Sequence, residues 1–283
     1  MSRFIAVDWG TTNRRSFVIE DGAVLATERD DCGASRIAPG AFEGEVAAIR
    51  ERIGDLPMIM AGMVGSNIGW RNVPYVAAPV RLEELAAGLE WIDERTAIVP
   101  GVSSGTNVMR GEEVQLLGAC VTGRVPGNAL LCQPGTHCKW ARIEGGAITT
   151  FITAMTGELF ALLKAHSLLG AQLRGAVSPG PAFLDGVAEG ARRDLGASLF
   201  GIRARGVLGL LEERDAPSYA SGMLIGADVA ARIEPDETVH VLADEDLGAL
   251  YSAAIGALGG RAYRVDSLAA FVAGISRIWE LAQ

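Results

Sequence analysis

The chain carries no Gly-x-x-x-x-Gly-Lys-[Ser/Thr] loop and no Gly-x-Gly-x-x-Gly after a strand-like run, so it shows neither of two familiar nucleotide-binding signatures. It has few cysteines: Cys32, Cys120, Cys132 and Cys138 form no Cys-x-x-Cys pair, and reduced thiols of a cytoplasmic protein are expected. Histidine is scarcer still, at three residues. His137 and Cys138, with Cys132 nearby, lack the second Cys/His pair that a tetrahedral zinc site needs. His166 and His240 lie in apolar contexts and read as core or surface residues. No apolar run reaches the length that would span a membrane, and no secretory leader is expected. Aromatic residues make up only 6%, so the core must be built mainly from Ala, Leu, Val and Ile. A formal charge of −9 argues against nucleic-acid or anionic-membrane partners. It leaves room for a phosphate ligand held locally by N–H groups or magnesium.

What the chain does have is length and turns. Its 283 residues suffice for two domains, and 36 glycines suit an α/β protein with many tight turns. The opening stretch Ile5-Ala6-Val7-Asp8-Trp9-Gly10-Thr11-Thr12-Asn13 is an apolar run ending in an acid, followed by a small polar turn. A second apolar run, 15–19, closes at Glu20-Asp21-Gly22, and a third, 23–26, follows. Asp-Gly between such runs is a hairpin signal, because both positions accept positive φ. The Gly10 turn offers backbone N–H groups and two hydroxyls beside a carboxylate, a set suited to a polyphosphate and a magnesium ion. Alone, Asp-x-Gly-Thr is also found in ordinary turns.

The pattern recurs. An apolar run at 129–132 leads into Gln133-Pro134-Gly135-Thr136-His137-Cys138-Lys139. A strand at 140–143, the turn Glu144-Gly145-Gly146 and a third strand at 147–153 come next. A repeat of this size implies two similar domains, 1–122 and 123–283, with the boundary near Pro126. Between the hairpins, spacing predicts a helix over 42–53, a strand over 57–61 and a Gly-rich stretch from Gly62 to Trp70. Beyond these come a short helix over 82–89, a strand over 97–99 and a polar loop over 103–110. Gly111-Glu112-Glu113 opens a further helix. For Glu113, complementarity to the helix dipole is the preferred reading, whereas Glu112 is expected at the mouth of a cleft. In the second half, Thr156 reads as an N-cap, 217–232 as a helix packed through Gly222 and Gly226, and 238–242 as a strand. Asp244, next to Ala243, reads as an N-cap that can also contact a nucleotide. A helix over 267–281 ends the chain.

These motifs together resemble the actin-like ATPase superfamily, and within it the 2-dehydro-3-deoxygalactonokinase family. Asp8–Asn13 is similar to the superfamily's first phosphate motif, and Pro134–Trp140 to its second. The family blocks matched are Ala61–Ser66 with Gly69-Trp70, Pro74-Tyr75, Met109–Glu113 and Met155–Leu159, with weaker similarity at Ser221–Gly226. The resemblance implies an α/β chain of two ribonuclease-H-like domains with a central cleft, the first on the sugar-acid side and the second on the nucleotide side. It implies transfer of the γ-phosphoryl group of ATP, with Mg2+, to the terminal hydroxyl of a 3-deoxy-2-keto sugar acid. The catalytic acid of related carbohydrate kinases is usually Asp; here Glu112 stands in its place as the expected base.

On this reading Asp8 handles magnesium, and Gly10, Thr11, Thr12, Gly135 and Thr136 hold phosphates, with Ala243 and Asp244 near the nucleotide. Gly65, Ser66, Asn67 and Arg71 are the candidates for the substrate carboxylate. Alternatives are a kinase of another small sugar or sugar acid, and a non-catalytic actin-like switch. A homodimer is left open.

Overall fold

The protein is described from a computed structural model covering residues 3–283. The first half forms β1 (Arg3–Trp9), β2 (Arg14–Glu20), β3 (Ala23–Asp30), α1 (Phe42–Ile53), β4 (Met58–Gly62), β5 (Val76–Ala77) and α2 (Leu82–Ala87). It continues with β6 (Glu90–Asp93), β7 (Thr96–Ile98), β8 (Val102–Ser104), β9 (Asn107–Met109) and α3 (Glu112–Val121). The second half forms β10 (Ala129–Gln133), β11 (Cys138–Glu144), β12 (Ala147–Ala154), α4 (Thr156–His166), α5 (Pro181–Gly190) and α6 (Leu195–Val207). It ends with α7 (Ala216–Ala230), β13 (Thr238–Leu242), α8 (Glu245–Ala257), β14 (Arg261–Val265) and α9 (Ser267–Leu281).

Two sheets share one topology. The first runs β3-β2-β1-β4-β7-β6 and the second β12-β11-β10-β13-β14. Apart from the added edge strand β6, each is three consecutive strands whose first lies beside the fourth, then the fifth. That is the ribonuclease-H-like order, present twice. β1 pairs parallel with β4 and β10 parallel with β13, so helical crossovers must join them. The hairpin turns match as well: Asp21 and Gly22 sit at φ 51° and 78°, Gly145 and Gly146 at 54° and 80°. Two successive positive φ values define the type I′ turn that the sequence called for.

By contacts the chain divides into two compact units. One comprises Met1–Asn128, Ala141–Phe151 and Ser267–Gln283; the other comprises Ala129–Trp140 and Ile152–Asp266. The sequence boundary at 122/123 lies close to the first crossing, while the two returns depend on long-range contacts. Val80 pairs with Ile148 in an antiparallel bridge, which ties the β11–β12 turn region into the first unit. α9 joins that unit by packing on α3. A Cβ at Gly118 would lie 2.0 Å from the Ala270 carbonyl, and one at Gly274 would lie 2.1 Å from that of Val114, so only glycine permits the crossing.

Period explains the cores. In the first unit Ile5, Val7 and Trp9 alternate along one face of β1 and meet Phe42, Val46 and Ile49 of α1. On the other face Phe17 packs against Phe271 of α9, and Phe4 stacks on Trp279. In the second unit Val239 and Val241 of β13 pack with Phe183, Val187, Ile225 and Tyr251. Gly222 and Gly226 do permit close packing there, because Cβ atoms at those positions would lie 2.0 and 2.4 Å from carbonyls of α5.

The structure corrects three local expectations and refines a fourth. Residues 103–110 are not a plain loop but contain the β8–β9 hairpin, in register Val102↔Met109. Strand β6, absent from the sequence reading, pairs antiparallel with β7. Thr156 does not cap α4: the N-cap position is Met155, and the Thr156 hydroxyl is engaged elsewhere. Glu113, expected to complement the helix dipole, does stand in the first turn of α3 but is fully buried there.

Candidate active site

The end of β1 carries Asp8 and runs into a loop whose carbonyls are all turned inward. The amides of Gly33, Ala34 and Ser35 donate to the carbonyls of Thr12, Gly10 and Thr11, and the Ser35 hydroxyl donates a second bond to Thr11. Gly33 is obligatory, since a Cβ would sit 2.3 Å from the Thr12 backbone. With the carbonyls engaged, the amides of Thr11 and Thr12 meet no acceptor among the described residues, and both side chains are exposed. Outward amides at a strand end form an anion-binding concavity. Asp8 Oδ2 pairs with Arg15 Nη2 at 2.6 Å, a partner on the opposed strand that the sequence reading passed over. Beneath the loop Arg14 is almost wholly buried and fully used: it binds Asp30 and Glu45 and lies over the Trp9 ring.

Backbone contacts bring three elements to this strand end. A Cβ on Gly62, which closes β4 at φ 96°, would lie 2.5 Å from the Trp9 carbonyl, and one on Gly111 would lie 3.1 Å from the Gly62 Cα. Thus Asp8, the Gly-rich stretch and the start of α3 gather at the carboxyl ends of the parallel strands, where α/β sheets bind ligands. Glu112, half-exposed, accepts the Arg110 amide at 3.0 Å. Glu113 turns inward, and both of its oxygens lie 2.7 Å from the Gly111 amide. Burial, reinforced by the neighbouring Glu112 charge, pushes its carboxyl up to about 8.

The substrate candidates separate. Gly65 is buried against the Arg110 guanidinium, and Ser66 uses its hydroxyl to bond the Met63 carbonyl. Asn67 is exposed. Arg71 lines an open pocket on another face with Glu43, Arg50, Asp55 and Asp93, so it does not join Gly65.

The second repeat rebuilds the loop with different residues. The Glu158 amide donates to the Thr136 carbonyl, and a Cβ on Gly157 would lie 2.3 Å from the Gly135 carbonyl. Gly157 and Glu158 therefore do here what Gly33 and Ser35 do in the first repeat. The amides of Gly135 and Thr136 likewise meet no acceptor among the described residues. His137 pairs with Glu158 at 2.6 Å. Below the loop, Asp228 accepts from Trp140 Nε1, the Thr156 hydroxyl and the Tyr251 hydroxyl, and burial raises its carboxyl above the ordinary range. Nothing local in the sequence marks this buried acid. Beside Gly135 and Gly157 lies a small, largely apolar pocket lined by Phe160, Ser221, Leu224, Leu247 and Tyr251. Asp244 caps α8 by accepting the Leu247 amide at 3.0 Å, and Ala243 precedes it. Among the described residues no cluster of three metal-ligating side chains occurs, and no helix is long and apolar enough to cross a membrane.

The chain is similar to known proteins over nearly its whole length. The family profile described as 2-keto-3-deoxy-galactonokinase matches residues 8–278. A 2-dehydro-3-deoxygalactonokinase of Escherichia coli (strain K12) is 36% identical over 98% of this chain and 97% of its own. A crystal structure from Sinorhizobium meliloti, assigned to the same activity, superposes with a TM-score of 0.89 at 33% identity, covering 98% of this chain and 96% of that one. The Clostridium difficile activator of 2-hydroxyisocaproyl-CoA dehydratase, solved with bound ADPNP, shares the fold alone, at a TM-score of 0.51 and 10% identity over 99% of this chain and 95% of its own. The chain belongs to the 2-keto-3-deoxy-galactonokinase family.

Proposed function

We propose that the chain transfers the γ-phosphoryl group of ATP to the terminal hydroxyl of 2-dehydro-3-deoxygalactonate. The observation that carries this is the pair of loops, one per repeat, whose carbonyls are tied back so that their amides stand outward. Phosphoryl transfer asks for positioning and charge neutralisation more than for covalent chemistry. Thr11 and Thr12, and in the second unit Gly135 and Thr136, supply donors to phosphate oxygens; the Gly10 amide, expected among them, is instead spent on the Asn13 carbonyl at 2.9 Å, so Gly10 serves to shape the turn.

Asp8 is the carboxylate available to a nucleotide-bound magnesium. A single acid suffices, because this ion keeps several waters and takes most other ligands from phosphate. The Arg15 pairing leaves Asp8 Oδ1 for that role, and magnesium when bound would neutralise phosphate charge. Glu112 accepts the proton of the sugar hydroxyl; its half-exposed carboxylate can reach a ligand, whereas the sealed Glu113 cannot. The small apolar pocket beside Gly135, lined in part by Leu247 and Tyr251, would receive one edge of the nucleoside.

The test is ADP release with ATP and magnesium across a panel: 2-keto-3-deoxygalactonate, its C4 epimer, galactonate and plain hexoses. The keto-deoxy acid should exceed the plain hexoses by roughly two orders of magnitude in kcat/KM, since a site built to bond specific polar groups rejects ligands that lack them. Equal turnover of a plain hexose would refute the assignment.

A further inference from the structure

We propose that Arg110 receives the carboxylate of the sugar acid while Tyr75 covers the face of its guanidinium. This rests on the reading above that the first unit takes the sugar acid. It replaces Arg71, which faces another pocket, as the cation of that subsite.

The contrast between two buried arginines carries the argument. Both are more than nine-tenths buried. Arg14 spends its donors on two carboxylates. Arg110 gives Nη2 to the Val73 carbonyl at 2.7 Å, while its Nε and Nη1 have no partner, and among the described residues no carboxylate lies within ion-pair distance. A guanidinium has five donors and cannot shed its charge, so burial with donors idle is costly unless a ligand completes the set. The nearby Glu113 keeps its proton up to about pH 8 and so supplies little counter-charge at neutral pH.

The surroundings suit a carboxylate. Nη1 lies against Gly65, where a Cβ would come within 2.9 Å, so a side chain at that position would crowd the guanidinium edge that a carboxylate has to reach. The Tyr75 ring covers the guanidinium face at 4.3 Å. Tyr75 is 42% exposed, its ring packs on Gly101, where a Cβ would lie 2.7 Å from it, and it offers the guanidinium only the partial compensation of a cation–π contact. Arg110 also stands two residues before Glu112, on the same turn into α3. One short segment would thus grip the acid end of the substrate with a planar fork and present the base to its hydroxyl end.

Binding measured by calorimetry tests this separately from turnover. The probes are 2-keto-3-deoxygalactonate and its C1 carboxamide, titrated into wild type, Arg110→Gln and Arg110→Lys. Wild type should prefer the acid over the amide, and Arg110→Gln should lose about 100-fold in affinity for the acid together with that preference. Arg110→Lys, which keeps the charge but not the fork, should fall in between and serves if the Gln variant does not fold. Acid affinity unchanged in both variants, or a retained acid-over-amide preference, would overturn the proposal. If wild type binds the acid through Arg110 yet releases no ADP, the carboxylate site stands and the kinase reading fails.

Discussion

Replacing Glu113 by Gln perturbs one atom pair at the start of α3 and isolates the effect of a sealed carboxyl group. The group is wholly buried, its two oxygens share the Gly111 amide, and its titration is pushed from 4.5 to about 8 by burial and then by the Glu112 charge. Because the folded state holds the proton more tightly than the unfolded chain, this group leaves stability undiminished below about pH 4.5. Stability then falls as pH rises, and the loss levels off above about pH 8. Each pH unit in that window costs about 1.4 kcal/mol, so the loss from about pH 5.5 to about pH 8 is about 3 kcal/mol. Gln keeps an oxygen for the Gly111 amide and never ionises, so the variant escapes that loss. Melting temperatures of the two proteins, measured side by side across this range, should diverge in favour of the variant as pH rises. At about 2–4 °C per kcal/mol the gap should widen by several degrees. All other titrating groups are common to both proteins and cancel in the difference. Parallel pH profiles would show that Glu113 is ionised and solvated, and the argument that only Glu112 is left to act as base would lose its footing.

Three further outcomes follow from the same geometry. Glu112→Gln should lower kcat by roughly 10²–10⁴-fold while ATP affinity, read by nucleotide titration, changes little; turnover near wild type would remove Glu112 as base. Asp8→Ala should raise the magnesium concentration for half-maximal rate by roughly tenfold or more, as loss of a carboxylate that helps hold the ion does; an unchanged magnesium titration would exclude the residue. Gly157→Ala places a methyl 2.3 Å from the Gly135 carbonyl and should raise the KM for ATP, whereas Gly196→Ala, which meets nothing within 4 Å, should not; equal behaviour of the two would mean the second loop takes no part in nucleotide binding.

The two hairpins were legible in the sequence because turn chemistry is local: Asp21-Gly22 and Gly145-Gly146 accept positive φ whatever surrounds them. Helix α1 was legible to the residue because Phe42, Val46 and Ile49 keep one apolar face and Gly54 ends it. Burial of charge was not legible. Arg110, Glu113 and Asp228 stand in segments that read as polar or as ordinary helix, and what seals them comes from far along the chain, as Trp140 and Tyr251 do for Asp228. The β8–β9 hairpin escaped for a related reason, since strands of three residues are too short to show an alternation.

Comparing the two repeats position by position separates what the fold needs from what the chemistry needs. Support of the loops is common to both: a glycine against the turn, and a following amide on the threonine carbonyl. The strand-end acid is not common, because Asp8 in β1 corresponds to Gln133 in β10. An acid beside outward amides repels the very anion those amides attract, unless a cation is interposed. A loop that binds phosphate by amides alone is therefore better served by the neutral Gln. A retained Asp is expected only where magnesium is handled, and the Arg15 pairing holds that charge in place until then. On this argument Asp8→Asn should weaken magnesium binding, raising the concentration needed for half-maximal rate, without disturbing the loop, whereas Gln133→Glu should weaken nucleotide binding by adding a negative charge beside the outward amides. If Gln133→Glu instead bound ATP more tightly as magnesium rose, the two strand ends would be equivalent and the proposed division of roles would be wrong.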